Sequence, residues 1–376
     1  MKFLFFLFLT LNCSSFQVKM PKFYTEDKVF FSVVGDIMSH QTQIDTAFKR
    51  DCKCYNYERV FDYVRPYLKK PDILIGNLET TLPGDPKKFS GYPQFGAPDE
   101  LAVALKNAGF DILTTSNNHS ADKGSQGIDH TISVLEQLKI LHLGTYRNEE
   151  EYQKGNILYF ERNNIRFAML SYSYSTNGLP IPKGKYINLI QKETIRKDIR
   201  SISREKADVI LVYYHFGTEY ARFPDKYQIE MVNLAFEEGV DIVLGGHPHV
   251  LQPYIYQTIT DRNGVTKKRL VIYSLGNFVS AQIKRYTNGG MIFNFTVTRI
   301  KELNKINFFI EDIHYIPVFV YVDNQANTTD YLVLPIQDYI KNDREPKLRT
   351  NSHKQMLEFW NDTIEHLEKN SVKGIP

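Results

Sequence analysis

The sequence is short of several things, and each shortage excludes a class of protein. Among 376 residues there is one tryptophan and there are three cysteines. No Lys/Arg block stands out, and the formal net charge is only +3, too mild a basic balance to argue for nucleic acid as a partner. The apolar run near the start, Phe3 to Leu11, is about nine residues long, where a membrane-spanning helix needs about 20. There is no glycine-rich phosphate loop and no G-x-S-x-G elbow, so covalent serine chemistry has no support. Internal repeats and long low-complexity segments are also missing. What remains is ordinary globular material: 42% hydrophobic and 24% charged residues, enough for a sizeable core in one large domain or two modest ones. The 24 tyrosines and 25 phenylalanines read mostly as core and sheet packing.

The first residues, MKFLFFLFLTLNCSS, carry a lysine, then the short apolar run, then Cys13. This fits the core of an export signal. A cysteine directly after such a core, with Leu9 and Leu11 before it and Ser14 and Ser15 after it, resembles a bacterial lipoprotein signal. In that class Cys13 is lipidated and becomes the mature N-terminus. Thr10 and Asn12 depart from the usual pattern, so cleaved secretion and an uncleaved anchor stand as alternatives. Residues 14–27 are polar, include Pro21, and read as a tether. The other two cysteines, Cys52 and Cys54, form a C-x-C pair. A bridge between them closes a tiny ring; a local disulfide is expected ahead of free thiols, and neither carries function.

From residue 28 onward strands and helices alternate. KVFFSVVGD, PDILIGNLE, FDILTTSNNHS, ADVILVYYHFG and VDIVLGGHPH are strands that run into polar loops, and helical patterns lie at 56–69, 99–109, 126–139, 191–205 and 225–238. Alternation of this kind argues for an α/β sheet with parallel portions. NILYFERNNIRFAMLSYS reads as a hairpin inserted into the alternation. After residue 268 come strands with little helix between them, and SHKQMLEFWNDTIEHLEK closes the chain as a helix with Met356, Leu357, Trp360, Ile364 and Leu367 on one face. The loop TLPGDPKKFSGYPQFGAP reads as a flap beside a site rather than as a linker between domains.

The stretch GGHPHVLQP places His247 and His249 at the end of an apolar strand. Two imidazoles at i and i+2 share a side only if the backbone stays extended, a geometry that suits two nitrogens on a metal; the alternative is a turn with two solvated histidines. Four more strand ends bear polar clusters: Gly35-Asp36-Ile37-Met38-Ser39-His40, Gly76-Asn77-Leu78-Glu79, Asn117-Asn118-His119, and His215 with Glu219 behind it. In α/β sheets ligands collect beyond the carboxyl ends of strands, and five such ends with donor side chains are a stronger signal than any one of them. Each residue has a plainer reading. Asp36 could close an Asx turn, and Glu79 could start a helix or face solvent. Asn118 and His119 could cap and turn the chain, and His215 could be a hydrogen-bonded core histidine. Glu219 and Tyr220 read as orienting neighbours, and Asn277 in SLGNF either braces the site or ends a strand. His130, His142, His314, His353 and His366 read as structural or solvated. Imidazole and carboxylate together suit zinc, manganese or iron ahead of calcium or magnesium, and two such ions about 3.5–4 Å apart would activate water as a nucleophile.

VGDIMSH, GNLETTL, SNNHSADKGSQGIDHTISVL, HFGTEY, GGHPHVLQP and YSLGNFV occur in that order. Together they resemble the capsule-synthesis family, the CapA/PgsA type associated with poly-γ-glutamate capsules, which is similar in fold to the calcineurin-like metallophosphoesterases. The resemblance covers residues 28–300; 301–376 are expected to be further strands and a helix packed on the same domain. It implies an α/β, calcineurin-like metallophosphatase sandwich of mixed β-sheets flanked by helices, four-layered or nearly so. Asp36 would open a first metal position and His249 complete it. Glu79 stands where the phosphoesterases place a bridging carboxylate, Asn118, His215 and His247 would hold a second ion, and His119 would protonate a leaving group from outside the metal shell. The phosphoesterases carry Asp-x-His on the first strand, and here that histidine is Met38; Asn77-Leu78-Glu79 likewise replaces their aspartate motif. His40 would substitute if its loop folds back, and the departure bears on hydrolysis more than on metal binding. Lys123, Lys183 and Arg222 lie near the motifs as candidates for gripping an anionic substrate. The function implied is an exported protein, held to the membrane by a lipid anchor, that acts in synthesis or attachment of poly-γ-glutamate capsule or another envelope polymer, beside a membrane-bound polymer synthase and with a metal-dependent, hydrolase-like site. Two alternatives are a metal-dependent phosphoesterase acting on an envelope phosphodiester, and a non-catalytic polymer-binding assembly subunit, which the Met38 replacement favours over the phosphoesterase.

Overall fold

Strand period decides the layering. Along Val209–His215 every side chain is buried, but alternate residues serve different cores. Val209, Leu211 and Tyr213 join one apolar cluster, while Ile210, Val212 and Tyr214 join another. A strand with both faces covered and side chains alternating across it must lie between two layers. The computed structural model, which describes residues 24–302, 305–324 and 329–373, has two such sheets packed face to face. Cys13 lies outside the described residues.

The first sheet runs in the order Thr329–Pro335, Lys305–Asn324, Gly289–Glu302, Tyr24–Ile37, Ile73–Leu78, Ile112–Thr114, Leu141–Leu143, with Asn277–Val279 also paired to the Tyr24–Ile37 strand. Its Tyr24–Ile37 to Leu141–Leu143 half is parallel and its other half antiparallel. The second sheet runs Val372–Lys373, Tyr254–Thr260, Thr266–Ile272, Ile242–Gly246, Val209–His215, Ile165–Ser173, Leu158–Arg162. Between the sheets Val29, Phe31, Val33, Ile73 and Ile75 meet Phe167, Met169, Leu211, Ile242 and Leu244, with the Phe31 and Phe167 rings edge to face at 5.1 Å. Helices Glu100–Ala108 and Gly124–Gln137 cover the outer face of the first sheet through Leu101, Leu105, Val134 and Leu135. Helices Lys192–Ser201 and Lys226–Glu237 cover the second through Ile195, Ile199, Met231 and Val232. The result is a four-layered sandwich of mixed sheets flanked by helices. Among the described residues no helix is long and apolar enough to cross a membrane.

Several sequence expectations change in detail. The first strand starts at Tyr24, so residues 24–27 pair with Glu302–Arg299 instead of forming a tether. The helix expected at 56–69 is a 3-10 turn, Glu58–Phe61, and a single α-turn, Arg65–Leu68; Pro66 has no N–H to donate to a preceding turn and so confines the α-turn to start beside it. The Leu158–Arg162/Ile165–Ser173 hairpin, turned by Asn163 and Asn164 in the left-handed region (φ 48° and 60°), is not an insertion, because its second strand runs parallel to Val209–His215 inside the second sheet. The closing helix, Thr350–Asn370, buries Met356, Phe359, Thr363, His366 and Leu367. Leu357, Trp360 and Ile364 are only half-buried, because the face the helix buries is rotated from the expected one toward Phe359, Thr363 and His366. Cys52 and Cys54 form a disulfide.

Candidate metal site at the strand ends

The parallel strands of both sheets finish at one edge of the sandwich, and their loops bring the donors together there. Asp36 is fully buried at the end of its strand. Its Oδ1 accepts from Asn77 Nδ2 at 2.8 Å and its Oδ2 from the His247 backbone N–H at 3.1 Å. The His249 ring lies beside it, with Nδ1 3.2 Å from Asp36 Oδ2. Asn77 fixes its own orientation by accepting from Thr114 Oγ1 at 3.1 Å and Asn117 Nδ2 at 3.4 Å. Glu79 follows the neighbouring strand, pinned by its N–H to the Ile37 carbonyl at 2.9 Å. Its Oε1 lies 3.4 Å from His215 Nε2 and 3.8 Å from His249 Nε2. Asn118 Oδ1 is 2.7 Å from His215 Nε2, and the His215 and His247 rings are 4.9 Å apart.

The backbone of the GGHPH loop does not stay extended. His247 and His249 both sit at positive φ, 98° and 58°, a conformation that costs about 1–3 kcal/mol for such residues and persists only where the surroundings impose it. Here the His247 N–H bond to Asp36 and the Tyr220 N–H bond to the Pro248 carbonyl, 2.8 Å, impose it. The two imidazoles therefore meet through a left-handed turn, and not by the i, i+2 alternation of a strand. Gly246 is required immediately before: an added Cβ would collide with the Tyr213 hydroxyl and lie 2.6 Å from Asp36 Oδ1.

Electrostatics follow from burial and pairing. Although burial opposes its charge, Asp36 is held well below the usual carboxylate range by the His249 hydrogen bond and the nearby imidazoles. Burial also opposes charging His249, but the Glu79 charge and the Asp36 contact outweigh it and raise its pKa to about 9 in the metal-free protein. His247 is pushed well below the ordinary histidine value, first by burial and then by its neighbouring imidazoles. A neutral imidazole is the form that binds a metal.

Among the described residues, three side-chain groups have donor atoms close enough to share an ion: Glu79 with His215 and His247, Asp36 with Glu79 and His249, and Glu219 with His247 and His249, of which Glu219 is exposed. A cation fits this donor set. Both carboxylate oxygens of Glu79 and Nδ1 of His247 are buried without a hydrogen-bond partner, and a carboxylate buried without hydrogen bonds is costly unless it coordinates a metal.

His119 stands outside those groups. Its Nδ1 is 2.7 Å from Asp122 Oδ2, which also accepts the Phe95 N–H at 2.6 Å, and Phe95 packs edge-on to the imidazole at 4.6 Å. Phe95 comes from the Pro/Gly-rich loop, so that loop walls the site. His40 belongs to none of the three groups. It precedes the helix Gln41–Ala47, its Nδ1 accepts the Ala281 N–H at 3.3 Å, and burial lowers its pKa to about 4. Met38 is buried, 3.8 Å from Ser280 Oγ. Asn277 pairs with His249 Nδ1 at 3.0 Å and anchors itself through Gln282 and Thr287. Of the candidate cations, Lys123 donates to Ser90 Oγ at 2.6 Å, Arg222 lies over Tyr286 and donates to the Asp362 carbonyl, and Lys183 is exposed. Sequence reasoning passed over Asp122, although His-x-x-Asp spacing was its signal. It also passed over Tyr174, whose ring lies 4.4 Å from that of His247, and Tyr213; nothing in the sequence marked those two.

A four-layered α/β sandwich of mixed sheets flanked by helices, with imidazoles and carboxylates gathered beyond its parallel strand ends, is the calcineurin-like fold that the strand-end motifs imply. More narrowly, the family model described as bacterial capsule synthesis protein PGA_cap matches residues 30–282, and the chain belongs to that family. It is 30% identical over 265 residues to the capsule biosynthesis protein CapA of Bacillus anthracis, covering 68% of this chain and 61% of that protein. It is 28% identical over 264 residues to the PGA biosynthesis protein CapA of Bacillus subtilis (strain 168), covering 69% and 66%. The chain thus spans less than two thirds of the length of these relatives. Among solved structures it is similar to the calcineurin-like phosphoesterase YfkN from Bacillus subtilis, at 12% identity and TM-score 0.44, covering 92% of this chain and 100% of that one.

Proposed function

We propose that this protein acts in the synthesis or attachment of a capsule or envelope polymer, poly-γ-glutamate being the first candidate, through a metal-dependent hydrolytic site. The observation that carries the hydrolytic reading is Glu79: a fully buried carboxylate with no hydrogen-bond partner on either oxygen, among His215, His247 and His249, with the hydrogen-bonded His119–Asp122 pair following Asn118 in the chain. Glu79, Asn118, His215 and His247 would hold one divalent ion, with Asp36 and His249 next to it; manganese, zinc and iron suit the donors. When bound, such an ion supplies Lewis acidity and lowers the pKa of water. The chain's own residues do the rest. Asp122 accepts from His119 Nδ1, which fixes the tautomer and leaves Nε2 as the nitrogen that exchanges a proton with a leaving group. Phe95 holds the imidazole plane and keeps water from its face. The family membership and the CapA relatives support the polymer assignment.

Purified protein assayed on poly-γ-glutamate and on an aryl phosphodiester tests the reading. His119→Ala should lower turnover by about 10²–10⁴, keep its metal, and be partly rescued by a better leaving group. Wild-type protein that turns over neither substrate, yet binds anionic polymer regardless of His119, would make this a binding module on an enzyme fold.

We further place the chain at the cell envelope, anchored by lipid on Cys13 and working beside a membrane-bound synthase. Cys13→Ser should release it from membranes; retention of that variant in the membrane fraction would overturn the anchor.

A further inference from the structure

The two halves of the strand-end site are unequally provided. Around Glu79 and His247 the donors are uncommitted: both Glu79 oxygens and His247 Nδ1 have no hydrogen-bond partner. The Asn118 Oδ1–His215 Nε2 hydrogen bond at 2.7 Å joins two members of this same set, and His215 Nδ1 stands 3.2 Å from Asn77 Nδ2. Around Asp36 both carboxylate oxygens, and Nδ1 of His249, are already engaged, while His249 Nε2 faces Glu79 Oε1 at 3.8 Å. Asp36 Oδ1 takes the Asn77 amide, and Asp36 Oδ2 takes the His247 N–H and lies 3.2 Å from His249 Nδ1. His249 Nδ1 is also 3.0 Å from Asn277 Oδ1. Glu219, exposed, shares a donor group with His247 and His249 but not with Asp36, and the other neighbouring strand-end side chains join none of these groups. Met38 is a buried thioether against Ser280, and His40 has its Nδ1 engaged by the Ala281 N–H. The Asp36 half therefore offers three donor residues, Asp36, Glu79 and His249. One of them is the carboxylate that fixes the backbone of the histidine loop.

We infer that the site is asymmetric: it takes one divalent transition ion tightly, on Glu79, Asn118, His215 and His247, while the Asp36–His249 hydrogen-bonded pair occupies the place of a second ion, which binds only weakly. This rests on the metal-dependent reading above and sharpens it. Loss of a hydrogen-bonding partner behind a ligand is by itself worth about 10–100-fold in metal affinity, so a shortfall in the ligand set should separate the two positions by at least about tenfold.

The test is metal stoichiometry with Mn²⁺ as probe, on the full chain dialysed against weak chelator, read by elemental analysis, titration calorimetry and electron paramagnetic resonance. Wild type should retain about one ion, with a second step at least about tenfold weaker, and the retained ion should give the spectrum of an isolated Mn²⁺. Met38→His adds an imidazole on the Asp36 side and should bring the retained count to about two, with the spectrum of an exchange-coupled pair. Met38→Leu keeps the packing without a donor and should stay at one, which separates a ligand effect from a folding defect. His247→Ala should lose the tight ion, while Asp36→Asn should keep it. Two ions held with indistinguishable affinity by wild type would overturn the asymmetry and leave the metal-dependent reading intact. No ion at all in wild type would overturn both.

Discussion

Two buried glutamates, at opposite ends of the parallel strands, show how the same side chain is spent in different ways. Glu238 precedes the Ile242–Gly246 strand, and its carboxylate is met by Arg200 at 2.6 and 2.8 Å, Arg262 at 3.0 Å and Arg196 at 3.6 Å. Glu79 lies where the parallel strands finish, is fully buried, and has no hydrogen bond on either oxygen. A satisfied carboxylate contributes to the fold; an unsatisfied one draws on stability supplied elsewhere and is kept for what it can bind. The sandwich can hold Glu79 in this state because strands on both sides and the Ile37 carbonyl fix its backbone. The His247 turn shows the same expenditure in backbone terms.

Three measurements would break or sharpen that contrast. The largest effect is expected from Glu79→Gln. It should abolish retention of Mn²⁺ and reduce any hydrolytic turnover by at least about 10²-fold, while the metal-free protein melts no lower than wild type, because a carboxylate buried without a hydrogen bond has been replaced by a neutral amide of the same shape. Should the metal-free variant melt well below wild type, Glu79 would be structural like Glu238 and the contrast would fail. Next, Glu238→Gln should leave metal retention unchanged and lower unfolding free energy by about 1–2 kcal/mol. This is below the cost of breaking a fully buried pair, because its arginines are 35–50% exposed. Chemical denaturation of both metal-free proteins checks it.

The smallest effect is on pH dependence. Glu238 has its pKa lowered, first by the Arg200 hydrogen bond, from an ordinary value of 4.5. A carboxylate with a depressed folded pKa contributes stability that is fully present above its unfolded pKa and is lost as pH falls through the folded one. The stability gap between wild type and Glu238→Gln should therefore be constant from pH 6 to 7 and narrow below about 4.5. A gap that widens in acid would show that the arginines are not what holds Glu238 ionised.

Much of the fold was legible in the chain because period-2 and period-3.6 patterns are local. The five strands leading to polar loops, four of the five internal helices and the closing helix lie within a few residues of their expected places. The exception, 56–69, contains Pro66, a local breaker that outweighed the apolar spacing. The donors at the strand ends were visible for a related reason: a strand that is apolar on both faces and then abruptly polar has emerged from a sheet.

The sequence by itself determined the alternation, the polar strand ends and the family, since each depends on neighbours along the chain. Only the tertiary structure decided which donors are free and which are committed. His40 and Glu219 are as good ligands on paper as His215. Yet the Ala281 N–H engages Nδ1 of the first, and the second is exposed at the rim. Asp122, distant from the strand-end pattern, proves to be the partner of His119. The shape of the GGHPH turn likewise came from Asp36, 211 positions earlier. Hydrogen-bond commitment is a property of atoms brought together across the two sheets, and no local pattern of residues carries it.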